Sequence, residues 1–300
     1  MSTQKPLLSV IIPTFDRADY LWATVEDLLR QNFADFELLI IDQSPDATPV
    51  PSDPRVHYHR VPLIGPLAGM NEGIARARGE IILILNDDVT LGGPGFLDAH
   101  LACYQNPKVG GVGGRIVDRV LRPNTHRIQC KVAWTGRTIE NLTGSASRFL
   151  QSVPGANMSF RAEVFRQIGG FDTGYVGTTL LGETDFATRA RKAGWALMFA
   201  PEASLLHLSA SRGGVRTDPL VTECWRFRNT GYYVAKHRGF LGLLPFGLTF
   251  SAIAAKRACQ WRDMGALPKL WRAMVEGVLA GQKQHRKTPP YERLCSYGSS

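Results

Sequence analysis

Glu80-Ile-Ile-Leu-Ile-Leu-Asn-Asp-Asp-Val89 is the stretch from which the chain is best read. Five apolar residues, Ile81 to Leu85, are too few for a typical helix and suit a strand buried on both faces. The run ends abruptly in Asn86, Asp87 and Asp88. Two adjacent carboxylates at the end of a buried strand repel each other and lose hydration, and a divalent cation is the usual compensation. In open α/β sheets, ligands bind in the crevice outside the carboxyl ends of the strands. The stretch therefore predicts a strand, then a metal, then an anionic ligand held through that metal. The alternative is a turn that opens with residues favouring turns.

Upstream, Leu7-Leu-Ser-Val-Ile-Ile-Pro13 reads as another buried strand, with Thr14-Phe-Asp-Arg17 as the loop at its carboxyl end. Asp19 can cap the following helix, which carries Leu21, Trp22, Val25, Leu28 and Leu29 at helical spacing. Phe36-Glu-Leu-Leu-Ile-Ile-Asp42 is a second buried strand ending in an acid, and Gln43 to Pro54 is loop. Val56-His-Tyr-His59 reads as a third strand, its two histidines taken as strand-surface residues. Gly65 to Gly79 contains a helix that feeds the opening strand. Strand alternating with helix implies parallel pairing through right-handed crossovers, hence an α/β sheet. Asp16, Asp42 and the Asp87–Asp88 pair then stand at neighbouring strand ends and look like one site. No GxGxxG or GxxxxGK[ST] follows the first strand, so neither a dinucleotide fingerprint nor a P-loop is present.

Four segments together carry a resemblance: Leu8-Ser-Val-Ile-Ile-Pro-Thr-Phe15, Leu-Ile-Ile-Asp42, Asn71-Glu-Gly-Ile-Ala-Arg-Ala-Arg-Gly-Glu80 and Leu-Asn-Asp-Asp88. Their order and spacing resemble the family 2 glycosyltransferases of GT-A fold, a Rossmann-like, mostly parallel sheet flanked by helices. The resemblance implies a nucleotide-sugar donor (UDP-, dTDP- or GDP-linked), a Mg²⁺ or Mn²⁺ ion on the diphosphate, and inversion at the anomeric carbon. It also implies a carbohydrate, glycolipid or small-molecule acceptor. By the same resemblance Asp88 is the metal ligand and Asp87 lies beside the ribose and diphosphate. Pro13, Thr14, Asp16, Asp42 and Asn71 are the remaining donor-site positions. The chain departs from the family where Asn86 replaces a frequent acid and Met70 a frequent arginine.

Downstream, Phe96 to Asn106 reads as a helix. The glycines of Val109-Gly-Gly-Val-Gly-Gly-Arg-Ile-Val117 suggest close backbone packing rather than a phosphate loop. Arg119 to Arg148 is irregular, either a flexible loop over the site or a β-meander. Pro154-Gly-Ala-Asn-Met-Ser-Phe-Arg161 leads into a short helix from Glu163, and the resemblance places Asn157 on the acceptor side. In Gly182-Glu-Thr-Asp-Phe186, Glu183 and Asp185 open a helix ended by Gly194. Such acids favour the helix dipole without any further role. The family carries an acidic pair there, which implies Glu183 as catalytic base with Asp185 as the alternative; Asp185 can instead pair with Arg189 one turn on. Trp195–Phe199 and Ala203–His207 read as two strands. His207 is either structural or, as in some family members, a second metal ligand. Arg212 and Arg216, in the loop Ser209 to Thr217, are either a clamp on the departing diphosphate or residues of a solvated loop.

Composition is that of a globular protein, 44% hydrophobic and 20% charged. Five scattered cysteines without CxxC spacing predict a reducing compartment, and Met1 to Pro6 holds no apolar leader, so a cytoplasmic protein is expected. The net charge of +9 is uneven: residues 221–300 hold 13 Lys and Arg against 4 Asp and Glu, leaving 22 of each sign in the first 220. The expected organisation is a catalytic domain over residues 1–220, with a nucleotide-sugar half to about 115 and an acceptor half after it. Residues 221–300 are then a basic, aromatic and apolar helical extension. Gly239 to Ala255 is uncharged for seventeen residues, short for a span and broken by Gly242, Pro245 and Gly247. Bases and aromatics beyond it suit a helix lying on the cytoplasmic face of a membrane, or else a helical hairpin with an ordinary basic face. No nucleic-acid module accompanies the bases, so nucleic acid is not expected as a partner. Two rival functions are a sugar-nucleotide pyrophosphorylase, which needs a Gly-rich loop that Thr14–Arg17 lacks, and an inactive nucleotide-sugar-binding or membrane-anchoring module.

Overall fold

A computed structural model describes residues 5–49, 51–63, 65–118, 129–142, 145–146, 148–210, 213–215 and 217–283. The strands are β1 (Leu8–Thr14), β2 (Phe36–Asp42), β3 (Val56–Arg60), β4 (Ile81–Leu85), β5 (Val89–Leu91), β6 (Val109–Asp118), β7 (Gln129–Val132), β8 (Thr138–Asn141), β9 (Arg148–Phe149), β10 (Asn157–Arg161) and β11 (Ala196–His207). The helices are α1 (Ala18–Leu29), α2 (Pro66–Arg76), α3 (Phe96–Ala102), α4 (Ala162–Ile168), α5 (Gly182–Lys192), α6 (Pro219–Trp261) and α7 (Ala266–Gln282).

The main sheet runs β3-β2-β1-β4-β10-β6-β11-β5, with β9 on β11. β3, β2, β1 and β4 are parallel, β10 is antiparallel to both its neighbours, and β6 is parallel to β11. The chain leaves β1 toward β2 and β3, then returns through α2 to place β4 on the other side of β1. That reversal makes the β1–β4 junction a switch point, where a crevice opens at the strand ends. Continuous apolar runs suit these strands because both faces are covered. Val10, Ile12, Leu38, Ile40, Leu83 and Leu85 pack with Leu21, Val25 and Leu28 of α1 on one face. Ile11, Leu39, Ile41, Ile82 and Ile84 meet Leu67, Met70 and Ile74 of α2 on the other, continuous with Phe160, Phe165 and Phe186.

Two expectations about elements need correcting, and one strand is added to them. Asp19 does not cap α1, which starts at Ala18, so this acid sits in the first turn. Asn157–Arg161 is a strand, β10, inserted between β4 and β6. Ala196 to His207 is one strand whose register against β6 shifts between Ala200 and Ser204. The glycines of β6 are there for close approach. A Cβ on Gly114 would lie 2.4 Å from the Ala203 carbonyl and 2.2 Å from Asn157 Nδ2. In the 119–148 region, β7 and β8 form an antiparallel hairpin.

The extension is helical, and its longest helix is folded on itself. Gly239, at φ 57° and ψ −152°, interrupts α6. Beyond it the chain runs back: Arg257 pairs with Glu223 at 3.0 Å, and the Phe227 and Phe250 rings lie 5.0 Å apart. α6 is long and apolar enough to cross a membrane by length and composition. As folded, its two halves lie side by side, with α7 seated on the first half through Gly277 and Gly281.

Candidate active site

The ends of β1 and β4 meet in one hydrogen-bonded group. Thr14 Oγ1 donates to Asp87 Oδ2 at 2.7 Å. Arg17 Nη1 donates to Asp87 Oδ1 at 2.9 Å and lies 3.4 Å from Asp88 Oδ2. Burial raises the Asp87 carboxyl above its ordinary value even against the Arg17 guanidinium and the Thr14 hydroxyl. Asp88 behaves oppositely. Burial pushes it up, but the His207 imidazole, the Ala210 N–H and Arg17 hold it below its ordinary value.

Pairing of β11 with β5 sets His207 opposite Val89, which brings the imidazole to Asp88. Asp88 Oδ2 accepts from the Ala210 N–H at 2.9 Å. Asp88 Oδ1 is buried, 3.2 Å from His207 Nε2, and makes no hydrogen bond of good geometry among the described residues. An orphaned carboxylate oxygen beside an imidazole nitrogen fits a divalent cation. Two protein ligands do not make a closed site, and no cluster of three or more His, Cys, Asp or Glu is preassembled among the described residues. Mg²⁺ and related ions commonly complete such a shell with substrate phosphates and water.

A cleft of about 520 Å³ opens beside this group. Pro13, Thr14, Arg17, Asn86 and Asp87 form one side; Glu183 forms another with Gly155 and Ala156. Asp88 and His207 are not on its wall. Glu183 stands in the first turn of α5 and fills the space a Cβ on Gly155 would need, 2.7 Å from its Oε1. Burial, reinforced by the charge of Glu140, raises the Glu183 carboxyl to about 7. A second hollow adjoins the cleft, sharing Phe15, Gln43 and Leu63 and adding Ser44 and Arg60.

Several residues expected in the site are elsewhere. Asp16 is exposed at φ 55° and meets Ser44 through its backbone N–H, while its neighbour Arg17 takes the place beside the acids. Asp42 is fully buried and accepts from the Ser44 and Thr48 N–H groups and the Tyr58 hydroxyl, so it shapes the 43–48 loop rather than the cleft wall. Asn71 gives both ends of its amide to the backbone of Phe171. Asn157 is fully buried and bonded to His100, Arg115 and Ala203. Asp185 faces away from the cleft into bonds with Arg189, Lys236 and His237. Arg212 and Arg216 lie outside the described residues. Arg17 is the participant that sequence reading missed. Its signal was available: a lone cation in the first strand-end loop, opposite a pair of acids.

The sequence profile of glycosyl transferase family 2 matches residues 9–169, more than half of the chain. The O-antigen biosynthesis protein RfbC of Myxococcus xanthus is 26% identical over 248 residues, covering 69% of this chain and 18% of that protein. The N-acetylglucosaminyl-diphospho-decaprenol L-rhamnosyltransferase of Mycobacterium tuberculosis is 26% identical over 178 residues, covering 53% of this chain and 56% of that protein. The chain thus spans less than a fifth of the first of these relatives and little more than half of the second. Among solved structures, a mannosyltransferase from Pyrobaculum calidifontis, in complex with GDP-Man and Mn²⁺, superposes with a TM-score of 0.56 at 20% identity. That superposition covers 99% of this chain and 80% of the other.

Proposed function

The chain belongs to glycosyl transferase family 2, and from that membership we propose that it is an inverting, metal-assisted enzyme that glycosylates a hydroxyl of a lipid-linked or polysaccharide acceptor. The observation that carries the reading is the cleft itself, with the strand-end acid Asp87 and the Arg17 cation on one side and a carboxyl poised near neutrality on another.

The donor is a nucleoside-diphosphate sugar. Its base fits the hollow beside Phe15, Gln43 and Leu63, and its diphosphate lies toward Arg17 and the acids. A divalent cation, when bound, neutralises charge on the diphosphate leaving group, and Asp88 and His207 are the residues that would hold it. Glu183 takes the acceptor hydroxyl proton as the oxygen lone pair forms the new bond to the anomeric carbon. The bond to the diphosphate oxygen breaks on the opposite face and the leaving group keeps the electron pair, so configuration inverts. A base must be unprotonated, and at about 7 Glu183 is so from neutral pH upward.

The M. tuberculosis relative is named for a decaprenol-linked acceptor, and a lipid-linked acceptor suits the outer face of the helical extension. There Phe240, Leu241, Leu244 and Leu248 are more than two-thirds exposed. The reading places the protein on the cytoplasmic surface of a membrane; the four cysteines among the described residues are free thiols.

The test is thermal unfolding against UDP, dTDP and GDP, each with and without Mn²⁺. A ligand that binds only the folded state raises the midpoint with concentration. One nucleotide should stabilise the wild type in a metal-dependent way and leave Asp88→Ala unaffected. If no nucleotide shifts the wild type at millimolar concentration, the donor-site reading is wrong.

A further inference from the structure

The segment between α4 and α5 carries the chain from Gly169 to the helix that presents Glu183. It is conformationally demanding. Gly177 (φ 62°), Thr179 (φ 54°) and Leu181 (φ 75°) are all left-handed, and two of them are not glycine. Such residues persist only where their surroundings over-determine them. For Gly177 and the residues just before it, the surroundings are the first half of α6, residues 219–238.

The contacts are dense and specific. Asn229 Oδ1 accepts from the Val176 N–H at 3.1 Å while its Nδ2 donates to the Val176 carbonyl at 2.9 Å. Arg228 Nη1 donates to the Gly174 carbonyl at 2.6 Å. The Trp225 ring lies so close to Gly177 that a Cβ there would come within 2.0 Å of it. Tyr232 donates its hydroxyl to Asp172 Oδ2 at 2.9 Å. Beneath these, Lys236 Nζ lies 2.6 Å from Asp172 Oδ2 and 2.7 Å from Asp185 Oδ1. His237 Nε2 lies 2.7 Å from the same Asp185 oxygen, and Arg189 Nε is 2.8 Å from the other. Both aspartates are fully buried.

A buried ion-pair network of this kind is a weak source of stability, because desolvation consumes most of the attraction. It does fix geometry. Positions 183 and 185 are about 200° apart around α5 at 100° per residue. With Asp185 locked inward, the helix can rotate little, and Glu183 is aimed at the cleft.

We propose that Lys236 and His237 are positioning residues for Glu183, acting through Asp172 and Asp185, and that residues 219–238 are part of the catalytic unit rather than of an appended extension. This rests on the reading of Glu183 as the base.

The experiment compares full-length wild type with Lys236→Met, Lys236→Arg, His237→Gln and the charge-balanced pair Asp172→Asn/Lys236→Met. Each is measured for turnover, for KM of the donor, for metal-dependent nucleotide stabilisation, and for hydrogen exchange of residues 172–184. Lys236→Met should lower kcat at least about tenfold, since misplacement on the order of 1 Å can cost about 10²-fold. Donor KM and nucleotide stabilisation should stay near wild type, exchange of 172–184 should quicken, and Lys236→Arg should recover most of the loss. If Lys236→Met fails to fold, the charge-balanced pair and the charge-neutral His237→Gln carry the same expectations. Unchanged kcat and unchanged exchange in any folded variant that breaks the bridge would overturn the proposal. A wild type whose turnover is unaffected by Glu183→Gln would instead remove Glu183 as base. Exchange alone would then report whether α6 holds the segment.

Discussion

Glu183 stands where two effects oppose each other. The start of α5 favours an anion, yet enclosure raises the carboxyl from 4.5 to about 7. Because the folded-state value lies above the unfolded one, the folded protein binds this proton more tightly. The stability this group contributes is therefore fully present below 4.5 and is lost as pH rises through about 7. Glu183→Gln removes the ionisable group while keeping its shape. At pH 8 it should unfold at a higher temperature than wild type, by about 1–3 kcal/mol of stability at about 1.4 kcal/mol per pH unit, discounted for partial exposure. Below pH 4.5 the difference should vanish. The same variant should lose about 10²–10⁴-fold in turnover and retain metal-dependent nucleotide binding, while wild-type transfer rises with pH through about 7. A stability difference that does not vary with pH would show that this carboxyl is not held out of water. Residue type alone could propose an acid at position 183, but it could not separate a ligand from an anchor. Asp42, Asn71, Asn157 and Asp185 have the chemistry of site residues and spend it on Tyr58, Phe171, His100 and Lys236. Those partners lie 16 to 100 positions away and become visible only once the sheet is assembled.

At the scale of elements, the parallel half was legible because β1, β2 and β4 each carry an apolar run (Val10–Ile12, Leu38–Ile41 and Ile81–Leu85) and helical periodicity lies between them. β10 was not, since Asn157-Met-Ser-Phe-Arg161 carries three polar residues in five. It is a strand because β4 and β6 offer their edges to it, and its polar groups are satisfied by the residues packed around it. Ser159 Oγ meets His100 Nδ1 at 3.0 Å and the Tyr104 hydroxyl at 2.8 Å. Asn157→Ala should therefore act on stability, leaving the Arg115 and Ala203 carbonyls without their partner, at a cost of about 3 kcal/mol. Urea unfolding checks it, and an unchanged midpoint with a raised acceptor KM would return Asn157 to the acceptor side. Gly114→Ala, which forces a methyl against the Ala203 carbonyl, should cost about 1–3 kcal/mol by overpacking. The fault would lie in the β6–β11 seam, so nucleotide stabilisation should survive wherever the protein folds.

Across the whole molecule, one folded-back helix faces two ways. Residues 219–238 of α6 hold the segment leading to Glu183, while the half after Gly239 buries Phe246, Phe250, Ala254 and Ala258 and turns Phe240, Leu241, Leu244 and Leu248 outward. The buried set recurs every four residues, and Leu241, Leu244 and Leu248 are centred about 130° from it around the same helix. Trp271, Val275 and Leu279, again four apart, are half-exposed on α7. Lys256, Lys269 and Arg272 accompany them, in the part of the chain that holds all of the excess positive charge. Burying a large apolar side chain contributes about 1.5–3 kcal/mol, and each base near an anionic surface about 1 kcal/mol. The apolar stripe therefore supplies the larger share, and the two shares respond differently to salt. Wild type should sediment with vesicles containing anionic lipid. Raising salt from 0.1 to 0.5 M should weaken that binding without abolishing it, because screening reaches only the charged share. Leu241→Ser/Leu244→Ser should reduce it by about two orders of magnitude or more at either salt, the consequence of losing roughly 3 kcal/mol or more of apolar burial. These side chains touch neither the cleft nor residues 172–183, so turnover on a water-soluble acceptor should be unaltered. Equal vesicle binding by the double variant and wild type would show the stripe to be an ordinary solvent face. The bases alone would then account for any attraction to the membrane.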